Sequence, residues 1–449
     1  MYSLLLVLLL VSGLFAPVPL ERGTQFEYRG NFVAVRGDLA ESEKVFRLSL
    51  LVAESNSESL RVYWTLDEEQ HGSWSWLNHF GRTDLPNSWR SVDALKPSLL
   101  YVREEGSSIV PLLFPLLKPK QQLGPDTRWV EGRLEYQVEE AVRLENRDTW
   151  KVAVGNAYGR KRTIWVDQQS HLILAAEENV VIGQGEQHLL RFALVSQAAI
   201  PAEQVDSAVT SFDSLINLRT QLGIPPRTKE VKWSEPNLQL LAEQLPQLQQ
   251  QAGTTKSLAK VIQDAAKETR RQQNRLGAIA SVKNRLVGET APRADLTNLD
   301  STPFDWDQLK NKVTILHFWE YRDAPLEEPY GQIADVDFLY RSHKSDDVQV
   351  LGISVDPRLA DPSTHGQATR SAKKLRSFMN LSYPMLLDLG PAIRHYGDPR
   401  VTGAKLPLFV VIDRSGKIVH YHVGAYEIDR DRGLKALDSV VNQALGNPE

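Results

Sequence analysis

From Gln25 to about Ser196 the apolar positions fall into short runs separated by turn residues. The runs at 26–35, 45–52, 60–66, 134–144, 149–154, 162–166, 172–181 and 188–195 predict β-strands. Gly155-Asn156 and Asp167 to Ser170 put turn chemistry between neighbouring strands. Strands recurring every 10–15 residues or so, with no helical period between them, predict an antiparallel meander with one face on a core and the other open to water. The period then changes. Val205, Val209, Phe212, Ile216 and Leu222 recur every three to four residues and predict an amphipathic helix over 203–222, stopped by Gly223 and Pro225-Pro226. A Gln- and Leu-rich stretch at 237–251, interrupted by Pro246, and a longer helix at 256–285 follow. Beyond 286 the runs at 313–318, 348–355, 408–412 and 418–423 predict strands. The first two are separated by a helix-sized interval, as in a parallel βαβ unit. The last two flank Arg414-Ser415-Gly416, a hairpin signal. A final helix is predicted over 429–444.

Length divides this pattern into domains. A chain of 449 residues exceeds one ordinary domain, and the changes of period predict a β-rich domain over 21–200, a helical connector over 201–286 and an α/β domain over 287–449. An apolar fraction of 42% and a net charge of -4 describe globular cores and argue against nucleic acid as the main partner. The first 20 residues carry no charged side chain, and Leu4 to Leu10 is a continuous apolar run stopped by Pro17 and Pro19. Residues 1–20 are therefore read as a secretory signal or an N-terminal anchor, which places the protein in the secreted or periplasmic envelope space. The chain contains no cysteine. Thiol–disulfide exchange, peroxidatic chemistry and any disulfide are thereby excluded for its own side chains.

The C-terminal third carries a resemblance spread over several motifs. Val287-Gly288-Glu289-Thr290-Ala291-Pro292 opens it, and 299–309 leads into the strand at 313–318. Val350-Leu351-Gly352-Ile353-Ser354-Val355-Asp356 follows, then the stretches at 374–378 and 383–388. Tyr396 to Pro407, and Leu408 to Asp413 with Gly416-Lys417-Ile418-Val419, complete the order. Together these resemble the thioredoxin-like family that includes the alkyl-hydroperoxide-reductase/thiol-specific-antioxidant proteins and the thiol-disulfide reductases. The resemblance implies a thioredoxin-like α/β fold and an overall α+β multidomain architecture. Phe318-Trp319, four residues, then Ala324-Pro325 resembles the family's redox segment, in which the two cysteine positions are here Asp323 and Leu326. A cysteine at a helix N-terminus is stabilised as thiolate by the dipole; Asp323 places an anion in the same field and is a good cap, and Pro325 suits a first turn. Leu326 neither ionises nor resolves a mixed disulfide.

The resemblance further places Pro407 at the family's cis-proline, beside an incoming extended polypeptide. Pro407, Leu406, Trp319 and Tyr321 are therefore the candidates for docking a protein or peptide partner by strand addition. No residue is assigned a catalytic role, a metal or a cofactor. Two other readings stay open. The segment Arg160 to Val180 resembles the strand-turn-strand of lipoprotein-carrier-like half-barrels, which implies an apolar ligand in the N-terminal domain; a core closed by Trp64, Trp74, Trp76 and Trp150 is the alternative. Asp323, with Glu327 and Glu328 near it, could serve non-thiol acid–base chemistry, although favourable charge at a helix start also explains all three. His420 and His422 share a strand face with spacing suited to a metal, but a third ligand is not evident, and His317 is expected on a different strand. Membrane contact is confined to the N-terminal segment or to the basic helix at 256–285. That helix lacks aromatic residues among its cations, which argues against nucleic acid.

Overall fold

The computed structural model describes residues 20–36, 39–56, 59–69, 72–86, 96–103, 106–117, 122–229, 231–252, 255–321, 332–343, 347–390 and 392–446. The chain divides into two compact units, Met1–Arg270 and Arg271–Glu449. In the first, the alternating pattern forms β1 (Thr24–Arg36), β2 (Leu39–Ser55), β3 (Ser59–Glu69) and β4 (Phe80–Pro86). A hairpin of β5 (Ser98–Arg103) and β6 (Gly106–Pro111) follows. The meander then runs through β7 (Arg128–Glu131), β8 (Leu134–Leu144), β9 (Arg147–Asn156), β10 (Gly159–Asp167), β11 (Ile173–Ile182) and β12 (Glu186–Ala199). Ten of these strands make one sheet in the order β4-β3-β2-β1-β12-β11-β10-β9-β8-β7, antiparallel throughout. The strands predicted from the sequence are all present. The pattern missed β4 to β7, which are short or broken by Gly and Pro.

One face of the sheet was expected to meet water, yet at β2 and β3 both faces are buried. Phe46, Leu48, Leu50, Val62, Trp64 and Leu66 fill one core. Leu51 and Tyr63 point the other way and are covered by α1 (Ala202–Leu222) and α2 (Glu235–Gln251) through Phe212, Leu215, Leu241 and Leu245. The segment read as a connector thus supplies most of a second core. Trp76 belongs to this second core and Trp64 to the first, Trp74 is buried, and Trp150 packs half-buried on the first. Pro246 does not interrupt α2. It deprives one carbonyl of its donor, but Leu238, Leu241, Leu245 and Leu248 are buried along one stripe and hold the helix through it. α3 (Lys256–Leu286) contributes residues to both units.

The second unit is a mixed sheet. Its strands are β13 (Thr297–Asn298), β14 (Val313–Trp319), β15 (Val348–Ser354), β16 (Met385–Leu387), β17 (Leu408–Ile412) and β18 (Ile418–Val423), in the order β13-β16-β15-β14-β17-β18. β14, β15 and β16 run parallel; β17 and β18 are antiparallel. Every residue of β14 is buried, as expected of a central strand covered on both faces. Val313, Ile315 and Trp319 pack with α4 (Ile333–Ser342), α5 (His365–Phe378) and α7 (Lys435–Leu445). Leu316 and Phe318 face the opposite layer, with Leu286 at the end of α3 and Ala392, Ile393 of α6 (Ala392–His395). This is a thioredoxin-like α/β domain. The last helix starts at Lys435 rather than Asp429, because the Asp429 carboxylate accepts from the Asp431 and Arg432 N–H groups and Gly433, at φ +61°, closes a turn back onto Asp429.

Candidate functional site

The C-terminal ends of β14 and β15 and the start of β17 converge on one rim of the second sheet, where open α/β sheets place their ligand sites. Asp323, Ala324, Pro325 and Leu326, together with Glu327, Glu328 and the predicted helix start, lie outside the described residues. The frame around them is described. Trp319 ends β14 and is 2% exposed; its Nε1–H finds no acceptor among the described residues. Gly352 on β15 lies beneath it. A Cβ there would come within 2.5 Å of the Tyr383 ring and 3.4 Å of Trp319 Nε1, so the glycine in the Val-Leu-Gly-Ile-Ser run is a packing requirement. The Leu406–Pro407 peptide is cis, and the Pro407 carbonyl accepts from Gly424 N–H at 2.7 Å. Of the four docking candidates, Trp319 and Pro407 are buried, while Tyr321 and Leu406 are half-buried and offer side-chain surface.

Two tripeptides that the sequence reading passed over organise this rim. Asp356-Pro357-Arg358 and Asp398-Pro399-Arg400 are the same sequence at the starts of two single-turn 3-10 helices, Pro357–Ala360 and Pro399–Thr402. In each, the aspartate caps the turn by accepting from the arginine N–H, at 2.9 and 3.0 Å, and its carboxylate grips the same arginine's guanidinium. Both arginines then reach the two residues that leave β14. Arg358 Nη2 donates to the Tyr321 carbonyl at 3.2 Å. Arg400 Nη1 donates to Glu320 Oε2 at 2.9 Å and to the Val355 carbonyl at 3.0 Å. Burial pushes the Asp398 carboxyl up, but its bonds to Arg400 outweigh that and hold it below the usual value. The repeated Asp-Pro-Arg was the signal that could have found these residues: proline favours a first helical position and aspartate the cap before it.

The histidines are placed as the sequence predicted. β18 is the sheet edge, and β17 separates it from β14 and His317. His317 stacks on Phe409 with ring centroids 4.7 Å apart. His422 stacks on Tyr426 at 4.0 Å, and His420 Nε2 lies 2.7 Å from the Tyr426 hydroxyl. Among the described residues no group of three ligands could hold a metal. Burial, with help from His422 and Lys283, pushes His420 down to about 4, and burial also lowers His422. An unfolded chain takes up these protons near 6.5, before the folded one does. The unfolded state therefore binds more protons between about pH 6.5 and 4, and stability is full above that window and lost on descending through it. The unfolding free energy of the second unit, from urea titration, is expected to fall by about 1–2 kcal/mol from pH 7 to pH 4.5, discounted for partial exposure. His420→Gln should flatten the dependence. An unchanged profile in that variant would assign the acid loss to other groups.

In the first unit, a cavity of about 430 Å³ opens on the main core. Thr83 of β4 and Glu131 of β7, the two end strands of the sheet, both line it, with Phe114, Tyr136, Ile164 and Ile173 forming apolar wall. Arg162 and Glu178 pair at 2.7 Å in its polar wall, and Arg162 Nε–H has no acceptor among the described residues.

Residues 287–421 match the model of the AhpC/TSA family. Among curated proteins, the thiol-disulfide oxidoreductase ResA of Bacillus thuringiensis is 25% identical over 149 residues, covering 33% of this chain and 76% of the relative. ResA of Bacillus cereus is 25% identical over 148 residues, covering 33% of this chain and 76% of the relative. Among solved structures, a thiol:disulfide interchange protein of the thioredoxin family from Chlorobium tepidum is 23% identical, covers 35% of this chain and 96% of its own, and has a TM-score of 0.27. The thioredoxin domain of a thiol-disulfide oxidoreductase from Bacteroides vulgatus is 17% identical, covers 35% and 98%, and has a TM-score of 0.27.

Proposed function

We propose that the C-terminal domain, of AhpC/TSA type in a chain without cysteine, is redox-inert and binds an extended protein or peptide segment in the envelope outside the cytoplasm. The observation that carries this reading is the doubled Asp-Pro-Arg support: two arginines fix the exit of β14 where the chain has no thiol left to position. Half-buried Tyr321 and Leu406 then offer apolar contact beside the start of β17, and an extended segment would add its backbone there, with side-chain pockets supplying selectivity. Thiol exchange needs a thiolate attacking sulfur, and no side chain of this chain supplies one.

Two assays test it. Insulin reduction by dithiothreitol should run no faster with the protein than without it, and any acceleration would end the redox-inert reading. Fluorescence anisotropy against a library of extended peptides should yield binders whose affinity drops at least about tenfold in Tyr321→Ala/Leu406→Asp, the loss of a central apolar contact. Equal affinities in both proteins would move the function away from this rim.

A second reading, carriage of an apolar ligand by the N-terminal sheet, is favoured by the cavity reached from both end strands. Its size lies within the range of about 300–1,000 Å³ usual for small-molecule sites. Organic extraction and mass spectrometry of the purified protein decide it: a stoichiometric lipid, lost in Ile164→Trp, supports it, and an empty extract removes it.

A further inference from the structure

α3 is a single helix from Lys256 to Leu286 with eight lysines and arginines against Asp264 and Glu268, an excess of six positive charges. The whole chain is at -4, so everything outside this helix carries an excess of ten negative charges. At 100° per residue, Lys256, Lys260, Lys267 and Arg270, all in the first unit, fall within about 80° of arc. All four are exposed. Leu258, Ile262, Ala265 and Thr269 lie on the opposite side of the helix and are buried. Lys260 also reaches Asp67 at 2.5 Å, so part of its charge is already met. The result is a cationic stripe about 21 Å long at 1.5 Å per residue.

We propose that this stripe rests the protein on an anionic phospholipid surface. Three features choose that occupant. The helix contains no aromatic residue, so it lacks the stacking platform that single-stranded nucleic acid uses. In the first unit its apolar side, Leu258, Val261, Ile262 and Ala265, is already occupied by the protein's own core, so this part adsorbs by charge and does not insert as an amphipathic anchor does. The chain outside the helix carries a net negative charge, which opposes a soluble polyanion that extends past the stripe. Each lysine or arginine held near such a surface is worth about 1 kcal/mol, an attraction confined to a Debye length.

The test uses the full chain with large unilamellar vesicles, either phosphatidylcholine alone or phosphatidylcholine with about one third phosphatidylglycerol. Co-sedimentation should be stronger on the anionic vesicles, and the excess should vanish on raising ionic strength from about 0.1 M to 1 M. Lys256→Gln/Lys267→Gln/Arg270→Gln should lose about a hundredfold in partitioning to anionic vesicles at unchanged circular dichroism. A matched triple at exposed cations elsewhere, Arg133→Gln/Lys161→Gln/Lys229→Gln, changes net charge equally and should leave partitioning within about threefold of wild type. Equal binding to both vesicle types would overturn the proposal and credit an apolar segment. Equal losses in the two triples would reduce the effect to net charge. Tighter binding to single-stranded DNA or heparin than to anionic vesicles at the same salt would give the stripe to a soluble polyanion.

Discussion

Glu68→Ala is expected to lower the stability of the first unit by about 3–5 kcal/mol, the usual cost of leaving one member of a buried ion pair alone. Lys44 and Glu68 have side chains with no solvent exposure and stand 3.1 Å apart. They also hold backbone together. Lys44 Nζ donates to the carbonyls of Gly72 at 2.5 Å and Leu100 at 2.6 Å. Glu68 accepts from Leu100 N–H at 2.8 Å and Trp74 N–H at 3.0 Å, and His79 Nε2 lies 3.4 Å from it. Burial raises the Glu68 carboxyl, but His79, Lys44 and the Trp74 N–H outweigh it and hold it ionised, below its usual value. The pair thus ties β2 and β3 to β5 and to the turn before Trp76. Lys44→Met/Glu68→Leu removes both charges yet strands two N–H groups and two carbonyls, each costing about 1–3 kcal/mol. The double variant should therefore stay as unstable as the single one in urea titrations followed by tryptophan fluorescence. Recovery to wild-type stability would show that charge balance alone explains the pair.

That pair also marks the limit of reading the chain as letters. A Lys and a Glu within strands pass for surface residues until parity is followed: Lys44 shares its face with Phe46, Leu48 and Leu50, and Glu68 shares its own with Val62, Trp64 and Leu66. The predicted runs stopped short of both residues, and only extending their alternation by one position before 45 and two beyond 66 places both charges inward. Where period and turn residues agreed, the elements were legible to the residue, as at Leu134–Leu144, Leu408–Ile412 and Ile418–Val423. β4 and β7 were not legible, because Gly, Asp and Pro within or beside them blur the period, and only pairing with a longer neighbour makes them strands. Tertiary packing likewise overrode the local signal at Pro246. At the rim, the missing thiols were legible from composition. The arginines that reach the exit of β14 were not read, although the repeated Asp-Pro-Arg marks the turns that carry them.

Arg400→Ala should cost the second unit about 2–4 kcal/mol, the second-largest single effect expected. It removes the Arg400 bonds to Asp398, to Glu320 and to the Val355 carbonyl. Arg358→Ala should cost about 1–2 kcal/mol, since among the described residues it loses the grip of Asp356 and the bond to the Tyr321 carbonyl. Arg400→Lys separates charge from geometry. A lysine restores one positive charge but cannot grip Asp398 through a fork while donating sideways to Glu320 and Val355. Hydrogen exchange over residues 313–321 should therefore accelerate in Arg400→Ala and nearly as much in Arg400→Lys, and peptide affinity at Tyr321 and Leu406 should fall in both although Arg400 is not among the proposed contacts. The reasoning runs from preorganisation: a rim that must be ordered at the moment of binding spends affinity on ordering itself. If Arg400→Lys matched wild type in exchange and affinity, a single charge near Asp398 would suffice, and the paired Asp-Pro-Arg turns would be supports of the fold with no bearing on what the rim binds.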